Sequence, residues 1–95
     1  MKAKKIFCVV AYDIADDRRR NLIVKVLEKY GTRINYSVYE CMFTETQMRI
    51  VQKKLTELVA CKEDIVAIYP ICMDCFSKAI YIPFRRIAAK VVLVR

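Results

Sequence analysis

The sequence contains no histidine. The usual general base near neutral pH and the commonest zinc ligand are therefore both missing, and any catalysis falls to carboxylates, basic groups, tyrosine or cysteine. Glycine occurs once and proline twice. No stretch rich in Gly, Ser or Pro interrupts the 95 residues as a linker would, so residues 1–95 are expected to form one domain, with a core over about 1–72 and a C-terminal segment over about 76–95. No apolar run approaches the roughly 20 residues needed to cross a bilayer, and no membrane partner is expected. Acidic residues are the minority, 10 against 18 Lys and Arg, for a formal charge of +8. A field of that sign attracts polyanions and repels acidic partners. The five cysteines, Cys8, Cys41, Cys61, Cys72 and Cys75, are odd in number. The N-terminal "MKAKKIFCVVAYD" meets a carboxylate after seven apolar residues instead of reading as a secretory signal, which points to a reducing, cytoplasmic compartment.

What is abundant is apolar: 57% of the residues are hydrophobic, whereas a domain this small hides only roughly 60–70% of the surface its unfolded chain exposes. Part of that surface is expected to meet a partner, most simply a second copy of the chain. Ile6 to Tyr12 is an unbroken apolar run, as in a strand buried on both faces at the centre of a sheet. Asp16 or Asp17 can cap the helix that follows, in which Leu22, Ile23, Val26, Leu27 and Tyr30 share one face, while Arg18, Asn21, Lys25 and Lys29 take the other. Gly31 then closes the helix at a position suited to positive φ. From Arg33 the period becomes two: Ile34, Tyr36 and Val38 on one parity, then Tyr39, Cys41 and Phe43 on the other, which predicts a bulge or sharp bend near Ser37. "TETQ", Thr44 to Gln47, has the capping-box pattern, and Met48, Val51, Leu55, Leu58 and Val59 form the inward face of a second helix. "EDIVAIYPIC" returns to strand. The order strand, helix, strand, strand, helix, strand is that of an α+β, ferredoxin-like βαββαβ sandwich. "AIYIPF" and "IAAKVVLVR" exceed what such a domain needs, and an extra C-terminal strand exchanged across a homodimer is their most economical use.

Chemistry gathers in "VVAYDIADDRRR", Val9 to Arg20. Asp13 ends the central strand, where it can cap a loop or act as a metal ligand, since Mg²⁺ takes oxygen donors and can neutralise charge on a phosphate. One carboxylate makes a thin site, and a nearby two-fold axis would supply a second. Asp16 and Asp17 suit the helix N-terminus. Arg18, Arg19 and Arg20 are about 100° apart around a helix, so one or two can reach phosphate while another pairs with a carboxylate. "CMDC", Cys72 to Cys75, lacks the two further ligands a zinc site needs, and is expected to be a pair of small buried cysteines or an incidental turn. Tyr12, Tyr36, Tyr39, Tyr69 and Tyr81 either stack on unpaired bases or pack as core and cross-strand aromatics.

In "VVAYDIADDRRR", "LEKYGTRINYSVYEC" (Leu27 to Cys41), "EDIVAIYPIC" and "CMDCFSKAI", taken in order, the chain resembles CRISPR-associated protein 2, the small subunit of the adaptation, or spacer-acquisition, machinery of prokaryotic immunity. Asn35 and Tyr39 stand where that family more usually has glutamine and phenylalanine. The resemblance implies a ferredoxin-like homodimer whose C-terminal strands cross to the partner, with Asp13 facing its mate over the two-fold axis. It implies metal-dependent nuclease activity on RNA or duplex DNA with Mg²⁺ at Asp13, in a site completed by Tyr12, Arg19, Arg33 and Tyr39. It also implies a non-catalytic task, in which the dimer bridges two dimers of the CRISPR-associated integrase beneath a short duplex.

Two functions follow as expectations. An architectural subunit would hold duplex DNA by its backbone through Arg18, Arg19, Arg20, Lys25, Lys29 and Arg33, without reading bases. A phosphodiesterase acting on duplex DNA or single-stranded RNA would use Asp13 and its mate to hold one Mg²⁺, with an arginine steadying the phosphate. A small ligand-binding or regulatory module would leave the basic excess and the arginine run without a use.

Overall fold

The computed structural model describes residues 4–84. Four strands and three helices follow one another as β1 (Lys5–Asp13), α1 (Asp17–Glu28), β2 (Gly31–Asn35), β3 (Val38–Thr44), α2 (Glu45–Leu58), β4 (Ile65–Ile71) and α3 (Met73–Ser77). The sheet order is β2-β3-β1-β4, with every pair antiparallel. The apolar run of β1 is thus a central strand, and the topology is that of the expected ferredoxin-like sandwich.

Alternation along β1 and β3 divides the residues between two faces. Cys8, Val10 and Tyr12 of β1 and Tyr39, Cys41 and Phe43 of β3 are buried in one cluster with Ile23 and Leu27 of α1 and Val51 and Leu55 of α2. This is the main core, and it lies between the sheet and the two long helices. The opposite face carries Phe7, Glu40 and Asp13. Here α3 lays Phe76 against Phe7, with ring centroids 4.1 Å apart, and the Tyr81 hydroxyl donates to the Glu40 carboxylate. Ile65 and Tyr69 remain 64% and 55% exposed, so this second face is only partly covered.

Local chemistry explains the helix ends. Asp16 caps α1 by accepting from the Arg19 backbone N–H at 3.0 Å. Thr44 and Gln47 form the reciprocal capping box of α2, at 3.1 and 2.9 Å. Ile23 and Leu27, four residues apart, centre the buried stripe of α1, which turns Leu22 away from the face expected of it: this side chain is 43% exposed.

Three expectations change. Gly31 adopts no positive φ and does not close α1; it is the first residue of β2. Its need for glycine is closeness, because a Cβ there would meet the Glu40 carbonyl oxygen and lie 2.7 Å from the Cys41 Cα. The parity change around Ser37 divides into two features: the chain reverses at Tyr36 and Ser37, and the register shift falls earlier, between Arg33 and Asn35. Cys72 and Cys75 are exposed, not buried; they form a turn in which the Cys72 thiol caps α3, accepting from the Cys75 N–H at 3.3 Å. Residues 79–84 form no strand within the chain; all of "IAAKVVLVR", and with it the expected strand exchange, lies outside the described residues.

Candidate functional site

The C-terminal end of β1 opens into a cleft of about 470 Å³ lined by Tyr12, Asp13, Ile14, Arg20, Asn21, Arg33, Tyr36 and Ser37. Each wall has a local cause. Asp13 pairs with Ile65 at the end of the β1 ladder and is exposed; its carboxylate makes no hydrogen bond or ion pair with another described residue. The first turn of α1 brings Arg20 back over the cleft, where its guanidinium donates to the Ile14 carbonyl at 2.7 Å and pairs with Asp17. β2 contributes Arg33, opposite Tyr39 in the ladder. The buried Tyr12 hydroxyl donates to the Tyr36 carbonyl at 2.7 Å and fastens the β2–β3 turn to β1. One free carboxylate therefore stands beside two guanidinium groups, the charge pattern that suits a phosphate with or without a shared cation.

Arg19 points elsewhere. It donates through Nε to Asp64 Oδ2 at 2.7 Å and through Nη2 to Asp64 Oδ1 at 3.2 Å, and reaches Glu63 at 3.0 Å. Asp64 also accepts from the backbone N–H groups of Ala15 and Ala60, each at 2.9 Å, and its side chain is fully covered. Hydrogen bonds from Arg19, reinforced by the two amides, hold the Asp64 carboxyl well below the usual aspartate range against the opposing effect of burial. The pair ties the start of α1 to the turn before β4.

The remaining candidates are dispersed. Tyr39 is buried behind the cleft, its ring 6.3 Å from that of Tyr12, and burial pushes its hydroxyl pKa upward. Arg18 is exposed. Lys25 and Lys29 flank a separate groove of about 450 Å³ between α1 and α2, over an apolar floor of Leu22, Val26 and Leu58. Their place on the last turns of α1 is roughly 12–18 Å along the helix from its start, at 1.5 Å per residue.

Four residues of the cleft, Ile14, Asn21, Tyr36 and Ser37, were absent from the expected site. Asn21 reads as one polar residue among several on the outer face of α1. Tyr36 was legible only as core or stacking aromatic, and reading "NYS" as a turn between two strands would have separated it from the core tyrosines. Asp64 carries no motif, since its partner lies 45 residues away.

Among the described residues, Asp13 is the one carboxylate lining this cleft, a thin protein donor set for Mg²⁺, which is commonly held by one or two carboxylates together with waters and phosphate oxygens. No group of three or more His, Cys, Asp or Glu side chains capable of holding a metal occurs among the described residues. A second Asp13 across a two-fold axis would double the carboxylate donors and improve the fit to such an ion.

A four-stranded antiparallel sheet of this order beneath two helices, with an unpaired carboxylate and arginines at the end of its central strand, defines a basic ferredoxin-like α+β protein. The chain belongs to the CRISPR associated protein Cas2 family, whose model matches residues 6–79. It is 43% identical over 63 residues to the CRISPR-associated endoribonuclease Cas2 3 of Synechocystis sp., covering 66% of this chain and 68% of that one. Among solved structures, it superposes on hypothetical protein TT1823 from Thermus thermophilus with a TM-score of 0.70 at 35% identity, over 73% of this chain and 84% of the other. A chain of a partial Cas6-RT-Cas1–Cas2 complex gives a TM-score of 0.71 at 25% identity, over 87% and 97%. No helix among the described residues is long and apolar enough to cross a membrane.

Proposed function

We propose that the chain is a homodimeric nucleic-acid-binding subunit of the CRISPR adaptation complex, holding duplex DNA while bridging dimers of the integrase. The observation that carries this reading is the cleft at the end of β1, where Arg20 and Arg33 flank Asp13. A sequence-independent grip needs only guanidinium groups and backbone phosphates. The partly covered sheet face supports the dimer: it leaves apolar Ile65 and Tyr69 outside the core and places Asp13 on the side where a second copy would dock. The partner reading is supported by the Cas1–Cas2 complex that contains one of the structural relatives.

A second reading, phosphodiester cleavage, is favoured by the unpartnered Asp13 carboxylate and by the endoribonuclease named as a relative. In the dimer both Asp13 side chains would hold Mg²⁺, which when bound neutralises charge on phosphate and activates water. Arg20 and Arg33 steady the phosphate, and Tyr12 keeps the turn in place through its hydroxyl. Arg19 acts at a distance, as a positioning residue that fixes the first turn of α1 and hence Arg20.

Wild-type protein and the Asp13→Ala variant are to be compared for Mg²⁺-dependent cleavage of duplex DNA and single-stranded RNA, and for salt-dependent duplex binding. Duplex binding by both supports the architectural role; cleavage by wild type alone adds the enzymatic one. Failure of both proteins to bind at low salt would overturn the proposal.

A further inference from the structure

Tyr36 is 87% exposed at a two-residue turn, where small polar residues are the usual choice. The turn beneath it is anchored at three points. The Tyr12 hydroxyl donates to the Tyr36 carbonyl at 2.7 Å, the Tyr12 N–H to the Ser37 carbonyl at 3.0 Å, and the Ser37 N–H to the Asn35 side chain at 3.0 Å. The root of the side chain is thus fixed to β1 one residue before Asp13, while the ring stands in solvent. It walls two adjoining hollows: the cleft shared with Asp13, Arg20, Asn21 and Arg33, and a second of about 260 Å³ against Arg33, Ile34 and Asn35.

Polar side chains dominate the cleft, so an apolar protein segment would find little to bury there. A nucleobase has the matching requirements: a flat π-face for the ring, and a phosphate on the same strand for the guanidinium groups beside it. We infer that Tyr36 is a stacking platform for an unpaired base whose flanking phosphate lies at Arg20 and Arg33, so that the site favours a strand with an unpaired stretch over fully paired duplex. The inference rests on the nucleic-acid role proposed above and narrows its substrate.

The test uses the full chain, a blunt duplex, and the same duplex carrying a short single-stranded overhang that contains a fluorescent purine analogue. Wild type is expected to bind the overhang form more tightly and to quench the analogue by stacking. Tyr36→Ala should weaken overhang binding about tenfold, within the range of a lost base–aromatic stack, and abolish quenching, with a smaller loss of blunt-duplex affinity. Tyr36→Phe should retain both properties. The ring is exposed, so unchanged thermal melting of both variants is the folding control. Equal binding of the two ligands by wild type, or an equal loss for both in Tyr36→Ala, overturns the inference while leaving the architectural role standing. No binding of either ligand overturns both.

Discussion

Asp13 and Arg19 show how differently neighbouring charges are used. Asp13 keeps its carboxylate free in the cleft, whereas Arg19, a short way further along the chain, is taken up by Asp64 and Glu63. The cysteines divide in the same manner. Cys8 and Cys41 lie directly opposite one another in the β1–β3 ladder and are buried; burial raises both thiols, that of Cys41 to about 12. Cys61, Cys72 and Cys75 are exposed, and hydrogen bonding from Cys75 lowers the Cys72 thiol. Native protein treated with iodoacetamide near pH 8 should therefore be alkylated at these three and spared at Cys8 and Cys41, with Cys72 ahead of Cys75, as read by peptide mass spectrometry. Gly31→Ala should destabilise the fold by roughly 1–3 kcal/mol in urea denaturation, because the added methyl overlaps β3 backbone that has nowhere to move.

The junction of α1 with the turn before β4 is governed by a clamp with a defined pH response. The folded-state pKa of Asp64 is depressed below its ordinary 3.8. Its contribution to stability is thus fully present above that value and is lost as pH falls toward the folded-state pKa. Wild type should keep a constant urea midpoint through mildly acidic solution and lose stability only below about pH 4. Asp64→Asn should be less stable at pH 7 and show a shallower decline over that acid range, as measured by urea midpoints at both ends. An unchanged acid limb in the variant would show that other carboxylates control it. The caps at the two long helices need no such distant partner: Asp16 and Thr44 each bond within three residues of themselves, which is why both helix starts could be read from short motifs.

Across the molecule, four of the basic residues singled out for nucleic acid divide between two places. Arg20 and Arg33 share a cleft with Asp13, while Lys25 and Lys29 border the apolar groove between α1 and α2. Duplex binding measured against salt separates their contributions. Replacing Arg20 or Arg33 with alanine should reduce the slope of log K against log salt by about 0.9 for each phosphate the variant no longer neutralises, whereas Lys25→Ala and Lys29→Ala should change it less. A larger effect from the lysines would move the duplex to the helical face. The open sheet face, with Ile65 and Tyr69 exposed beside Phe7 and Phe76, should give a dimer in sedimentation that Tyr69→Asp weakens.

Element order, helix caps and the central position of β1 were written in local patterns, because periodicity, capping motifs and an unbroken apolar run act over a few residues. The resemblance likewise singled out Asp13, Tyr12 and Arg33, which the fold brings to one place. The pairing of Arg19 with Asp64, the exposure of Tyr36 and the separation of the lysines from the cleft depended on long-range packing. A guanidinium becomes a clamp or a phosphate ligand according to which carboxylate the fold sets against it, and alternation in "RINYSVYEC" fits one bulged strand as well as two strands and a turn. For the single glycine, the sequence pattern suggested a helix end at positive φ, whereas strand contact supplies the actual reason, a carbonyl and a Cα too close to admit a side chain.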